Sequence, residues 1–231
     1  MPNKSWQYEV YFFYFSSVHT RENKEFSPPT NYRDIKMETV EWKISELLET
    51  KSFGLTTSGN PAIVDSPYGK AVRFNGVDDG IFLNTNPIIG LDKFTIEAIF
   101  LPESGGQFEQ RFLHFGLVTE DRMLLELRST EEKHWYFDAF IATGQSSLVL
   151  IDKEKLHPSD TWQHTAFIID GGNLTSYVNG VKELKGKTSV TPMKSGQASI
   201  GVRQNKISWF KGSIYSIKVT PEALTPERFT K

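Results

Sequence analysis

Glu126 and Arg128 stand two residues apart, as do Tyr136 and Asp138. In extended chain a spacing of two sends side chains to the same face. If residues 129–134 form the turn between two strands, matching their apolar positions puts all four side chains on one surface. Glu97 and Arg203 have the same outward parity in their own stretches. Arg111 and His114 are three apart and have opposite parity, so both face outward only across a bulge or at a strand end. Asn205, Trp209 and Lys211 follow Arg203 in an expected loop and strand start. Such a mixed set suits sugars. Planar Arg, Asp, Glu and Asn groups bind vicinal hydroxyls, rings of Trp and Tyr stack on apolar sugar faces, and surplus Arg and Lys favour a carboxylated or sulfated glycan. The plain alternative is a solvated sheet face with cross-strand ion pairs, each contributing under about 1 kcal/mol.

The elements that must position these groups are strands. Phe94, Ile96, Ala98 and Phe100 alternate with Thr95, Glu97 and Ile99; Met123, Leu125 and Leu127 alternate with Leu124, Glu126 and Arg128. Trp135, Phe137 and Ala139 alternate with Tyr136, Asp138 and Phe140, and Ala198, Ile200 and Val202 with Ser199, Gly201 and Arg203. Each pattern buries one face. Turns at Asn75-Gly76, Asp79-Gly80, Gly105-Gly106, Asp170-Gly171-Gly172 and Asn179-Gly180 punctuate them, and residues 174–184 read as a tight hairpin. Many short strands predict an all-β, two-sheet antiparallel sandwich. Helical turns are expected only at residues 45–51 and after Thr225-Pro226-Glu227. Trp162 and Phe210 are expected in the core.

Composition excludes several classes. The 231 residues suffice for one domain without a staple. The absence of cysteine removes disulfides, thiolate metal sites and thiol nucleophiles. Twenty-six basic against 28 acidic residues give a net charge of −2, with no basic stripe for nucleic acid. No apolar run reaches the roughly 20 residues of a membrane-spanning helix. Residues 1–36 differ from the rest. Seven of the ten residues 6–15 are aromatic, and a polar stretch with Pro28 and Pro29 follows. They read as an added strand or docking arm, as sequence upstream of a natural start at Met37, or as a weak export signal interrupted by Glu9 and lacking a small-residue cleavage site. Neither compartment nor oligomeric state follows from the sequence.

Three segments, GKAVRFNGVDDGIFL with FTIEAIFLP (69–83 and 94–102), WQHTAFIIDGGNLTSYVNGVKE (162–183) and ASIGVRQNKISWFKGSIYSIKVTPEALTPERF (198–229), resemble the laminin-G-like branch of the concanavalin A-like lectin/glucanase superfamily. The resemblance covers roughly residues 40–230. It implies a two-sheet jelly roll, and His164 stands where that branch often carries histidine, expected here to be packed and hydrogen-bonded. It leaves activity open, because the superfamily holds lectins, glycanases, lyases and adhesion domains. It also admits calcium, for which Asp78 and Asp79 are candidates, although a turn explains them better. No nucleotide loop, HExxH or hydrolase elbow is present. The glucanase pattern E-x-D-x-E is absent too.

The expectation is a non-catalytic carbohydrate-binding domain for an acidic or polar oligo- or polysaccharide. Its ligand set is Glu97, Arg111, His114, Glu126, Arg128, Tyr136, Asp138, Arg203, Asn205, Trp209 and Lys211. A lyase or hydrolase of acidic polysaccharides is the alternative. His114 or Tyr136 would then act as base with an arginine on the uronate, or Glu126 would join Glu97 and Asp138 as a carboxyl set. A protein-interaction domain is the third reading, marked by an exposed apolar patch in place of a polar groove.

Overall fold

The computed structural model describes residues 38–230, so the aromatic arm and the three readings of it lie outside the described residues. In chain order the strands are β1 (Val40–Lys43), β2 (Thr56–Ser58), β3 (Ala62–Ser66), β4 (Gly69–Asn75), β5 (Gly80–Leu83), β6 (Lys93–Pro102), β7 (Glu109–Gly116) and β8 (Arg122–Ser129). They continue with β9 (His134–Thr143), β10 (Ser146–Ile151), β11 (His157–Pro158), β12 (Gln163–Asp170), β13 (Asn173–Val178), β14 (Val181–Lys187), β15 (Gln197–Ile200) and β16 (Lys211–Thr220). Two eight-stranded antiparallel sheets result. The first runs β14-β13-β12-β6-β16-β4-β3, with β1 on β16; the second runs β10-β9-β8-β7-β15-β5-β2, with β11 on β9. This is the expected jelly-roll sandwich.

The alternating residues close the core as their period requires. Phe94, Ile96, Ala98 and Phe100 of the first sheet meet Met123, Leu125, Leu127, Trp135, Phe137, Ala139, Ala198 and Ile200 of the second, all buried in one cluster. Aromatic contacts hold its centre. Phe100 stacks on Phe112 at 4.4 Å between centroids and meets Trp135 edge-on at 5.5 Å and Phe210 at 6.1 Å. Phe210 is therefore core, as expected. Trp162 is not: it is half-buried outside the sandwich, edge-on to Tyr68 at 5.6 Å. It precedes β12 by one residue, on the parity that faces away from the second sheet.

The hairpin is as read: Val178 pairs with Val181, and Asn179 (φ 50°) and Gly180 (φ 77°) take the two left-handed turn positions. The helix α1 (Ile44–Thr50) lies one residue ahead of its expected position, and a 3-10 turn covers Pro226–Arg228. On either side of that turn, Leu224 and Phe229 pack on Ala166 and Ile168, covering part of the outer face of the first sheet. The outer face of the second sheet has no such cover from the carboxyl-terminal segment, and the candidate groups gather there.

Candidate functional site

A single irregularity assembles the site. Pairing of β7 with β8 runs Glu109–Arg128, Gln110–Leu127 and Arg111–Glu126, then resumes at Leu113–Leu125 and His114–Leu124. Phe112 is the extra residue of a β-bulge, and both Phe112 and Leu113 enter the core. The parity conflict between Arg111 and His114 is thereby removed, and both face outward. Pairing of β8 with β9 sets Glu126 opposite Asp138, Arg128 opposite Tyr136 and Leu124 opposite Phe140, while β10 adds Val149 beside Phe140.

These positions, with Arg203 reaching in from the loop after β15, enclose a cleft of about 300 Å³. Four guanidiniums line it, from Arg111, Arg122, Arg128 and Arg203, against the carboxylates of Glu126 and Asp138. Leu124, Phe140 and Val149 form its apolar wall, and the Arg122 guanidinium lies 5.0 Å from the Phe140 ring centre. The excess of guanidiniums makes the cleft electropositive, although the chain as a whole is slightly acidic.

The centre of the cleft is a buried ion network. Arg111 Nε donates to Glu126 Oε1 at 3.0 Å and its Nη1 reaches Glu109 and Ser208 Oγ. Arg128 Nη1 donates to Glu126 Oε2 at 3.2 Å, and its Nη2 lies 2.5 Å from Asp138 Oδ2. Glu126 is 2% exposed. Burial, reinforced by the facing Asp138, pushes its carboxyl up to about 7 even against the pull of Arg111 and Arg128. Burial raises Asp138 as well.

His114 lies on the same face, fully buried. Its Nε2–H donates to Leu117 O at 2.9 Å, and its Nδ1 accepts the Gln204 amide at 3.3 Å. One partner only accepts and the other only donates, which fixes the neutral tautomer. Burial, with Arg203, Arg122 and Arg111 nearby, lowers its pKa to about 4. The ring has no free nitrogen with which to act on a substrate. The imidazole instead ties the loop after β7 to the loop after β15.

The remaining sequence candidates disperse. Tyr136 is half-buried on the same face, opposite Arg128 and outside the cleft lining. Trp209 is half-buried beside Gly80, and Asn205 is exposed in the same loop. Glu97 and Lys211 belong to the first sheet and do not join. Parity gives a face and not a sheet, and β6 and β16 lie across the core from β8. The Glu97 carboxylate accepts His164 Nε2–H at 3.0 Å and the Thr230 amide at 2.6 Å, and Lys218 stands 3.7 Å away. Burial opposes ionisation of Glu97, but these donors hold its pKa below the ordinary value. Glu97 thus latches the carboxyl-terminal segment, and His164 is packed and hydrogen-bonded as expected. Lys211 is committed to the Ser104 carbonyl at 2.9 Å.

Sequence reading missed Arg122, Leu124, Phe140 and Val149. The first three share the parity of residues already chosen on β8 and β9, so the signal was present; Val149 is brought in only by the pairing of β10.

Asp78 and Asp79 form a turn. Asn75 Oδ1 accepts the amides of Val77, Asp78 and Asp79 at 2.8–3.2 Å, and Asp79 accepts those of Asn60 at 2.6 Å and Asn75 at 3.0 Å. Among the described residues no cluster of three or more His, Cys, Asp or Glu is arranged for a metal ion. Replacing Asp79 with alanine orphans two amides and is expected to cost about 1–3 kcal/mol in urea unfolding, with or without chelator. A loss that chelation abolishes would instead assign these oxygens to a cation.

Residues 75–228 match a laminin-G-type family model described as "Concanavalin A-like lectin/glucanases superfamily". No curated protein sequence matches significantly. Solved structures share the fold. Domain 4 of AbnA, a GH43 extracellular arabinanase from Geobacillus stearothermophilus, in complex with arabinotriose, is 22% identical with a TM-score of 0.58, over 75% of this chain and 84% of that one. The CBM40 of a Ruminococcus gnavus IT-sialidase, bound to α2,3-sialyllactose, is 15% identical with a TM-score of 0.52, over 74% and 94%. A SAP-like pentraxin from Limulus polyphemus is 13% identical with a TM-score of 0.52, over 75% and 79%. The family match spans most of the chain and agrees with the two-sheet fold, so this protein belongs to the concanavalin A-like lectin/glucanases superfamily.

Proposed function

We propose that the cleft on the second sheet binds an acidic oligo- or polysaccharide without transforming it. The observation that carries this reading is the convergence of Arg111, Glu126, Arg128, Asp138 and Arg203, from three strands and a loop, into one electropositive cleft with an apolar wall. Its volume suits one sugar ring, with planar groups for hydroxyls and an aromatic edge for the ring face. Two structural neighbours are complexes with sugars, arabinotriose and sialyllactose, which supports the ligand class. The buried network argues for binding over chemistry. Glu126 is held by guanidiniums through both oxygens and Asp138 through Oδ2, and His114 is committed to two backbone groups.

Glycan-array binding by the wild-type protein is the expected result. Arg203→Ala should weaken retained acidic glycans at least about tenfold, as loss of a charged hydrogen-bonding partner does. Absence of binding to every glycan, charged or neutral, overturns the proposal.

The facing carboxyls favour a second reading. Glu126, pushed up to about 7, stands opposite Asp138 on adjacent strands, as a protonated acid beside a carboxylate would. Release of reducing ends or of unsaturated uronate products from a polysaccharide panel, abolished by Glu126→Gln, would establish it.

A further inference from the structure

We infer that Arg122 and Arg203 form an anion clamp that receives the acidic group of the ligand, a carboxylate or sulfate ester, with His114 as the positioning residue that ties together the loops carrying them. The sugar part of this inference rests on the proposed function; the anion part stands on the geometry alone.

The four cleft arginines fall into two kinds. Arg111 and Arg128 are neutralised by Glu109, Glu126 and Asp138. Arg122 and Arg203 have no carboxylate partner among the described residues, and backbone carbonyls orient them. Arg122 Nη1 donates to Thr119 O and Glu120 O, both at 2.8 Å, and Arg203 Nη2 donates to Val118 O at 2.8 Å. Carbonyl dipoles fix a guanidinium's direction without cancelling its charge. Each of these two arginines also keeps a buried Nε–H with no partner. A buried guanidinium N–H left unmade is costly, and an oxyanion between two planar donors satisfies it with charge-assisted bonds. Burial lowers the Arg203 pKa, and Arg111 and Arg122 add to the shift against the pull of Glu126 and Glu109.

One loop and one ring set the spacing. Residues 117–121 supply all three carbonyls, and their closure is fixed by Leu117 N donating to Asp121 O at 2.8 Å. His114 binds the first residue of that loop and the residue after Arg203. Gly201 starts the second loop at φ +79°, where an added Cβ would collide with the Phe74 ring. The clamp is therefore built from constrained backbone and not from free side chains.

The test has two arms. In the first, binding of a uronate oligosaccharide is compared with that of its methyl ester and of a sulfated oligosaccharide. The wild type should prefer either acid at least tenfold over the ester, and the ranking of uronate against sulfate identifies the group. Arg122→Gln and Arg203→Gln should lower acid binding at least about tenfold and ester binding by much less, so that the preference for the acid is lost. His114→Leu should lose the preference, and His114→Gln, which can donate and accept, should recover part of it. In the second arm, inorganic sulfate should raise Tm in the wild type and much less in either arginine variant, with Arg73→Gln on the first sheet as the control for general salt effects.

Equal affinity for acid and ester, or a sulfate response unchanged in both glutamine variants, overturns the clamp. If no sugar binds but sulfate stabilises through Arg122 and Arg203, the clamp stands and the carbohydrate reading falls.

Discussion

Replacing Arg111 with leucine is expected to destabilise the domain by about 3–5 kcal/mol at pH 8 and by much less at pH 5. Arg111 is buried and holds one oxygen of Glu126 at 3.0 Å, while Arg128 holds the other at 3.2 Å. With Arg111 gone, Glu126 keeps one counter-charge and faces Asp138 across the strand pair. At pH 8 the buried carboxylate must stay poorly compensated or bind a proton, and either costs free energy. At pH 5 Glu126 already carries its proton in the wild type, so little further is lost. The double variant Arg111→Leu/Glu126→Leu should recover most of the pH 8 loss, since an apolar pair of similar volume replaces a buried ion pair at little cost. Urea unfolding at the two pH values checks both. A loss independent of pH, unrepaired in the double variant, would mean that the arginine stem and not its charge supports this face.

The buried charge network explains which features the sequence disclosed. Alternation at 94–100, 123–127 and 135–139 specified both the core and the register, because a slip of one residue would drive Glu126 and Asp138 into the sandwich. The bulge followed from a conflict visible in the sequence: Arg111 and His114 cannot share a face on a regular strand. Sequence spacing does not say which sheet a strand enters, and that is why Glu97, with the right parity, fell on the opposite side of the molecule. Trp162 was misplaced for a related reason. Its neighbour Tyr68 lies in the turn between β3 and β4 and meets it only through the packing of the first sheet. For His114 a structural role outweighed chemistry in the sequence, but its partners were not legible: they are backbone groups brought to the ring by loops distant in sequence.

Glu126 and His114 are expected to impose opposite pH dependences that mask each other in the wild type, and Glu126→Gln should expose the second. The Glu126 carboxyl rises from 4.5 to about 7 on folding, so the folded state holds a proton that the unfolded chain releases. That contribution is fully present below about pH 4.5 and is lost as pH rises through 7. His114 falls from 6.5 to about 4, so the unfolded chain holds the extra proton. Its contribution is present above about pH 6.5 and is lost as pH falls through 4. Each amounts to about 3 kcal/mol across its window, at about 1.4 kcal/mol per pH unit. Between pH 4.5 and 6.5 the two slopes cancel, which gives a plateau with decline on either side. Glutamine at 126 keeps a hydrogen-bonding side chain for Arg111 and removes the titration. The variant should therefore gain stability with pH from about 4 to 6.5 and then level off. At pH 8 it is relieved of the cost of ionising a buried acid, but its two arginines lose a counter-charge, so the slope and not the absolute stability is the informative quantity. Urea midpoints of both proteins at half-unit steps from pH 4 to 8 give the slope difference directly. Glu97, whose pKa is lowered on the opposite sheet, is common to both proteins and drops out of that difference. Parallel profiles for the wild type and the variant would show that Glu126 is ionised throughout, as a permanent member of the five-charge network with Arg111, Arg128, Glu109 and Asp138.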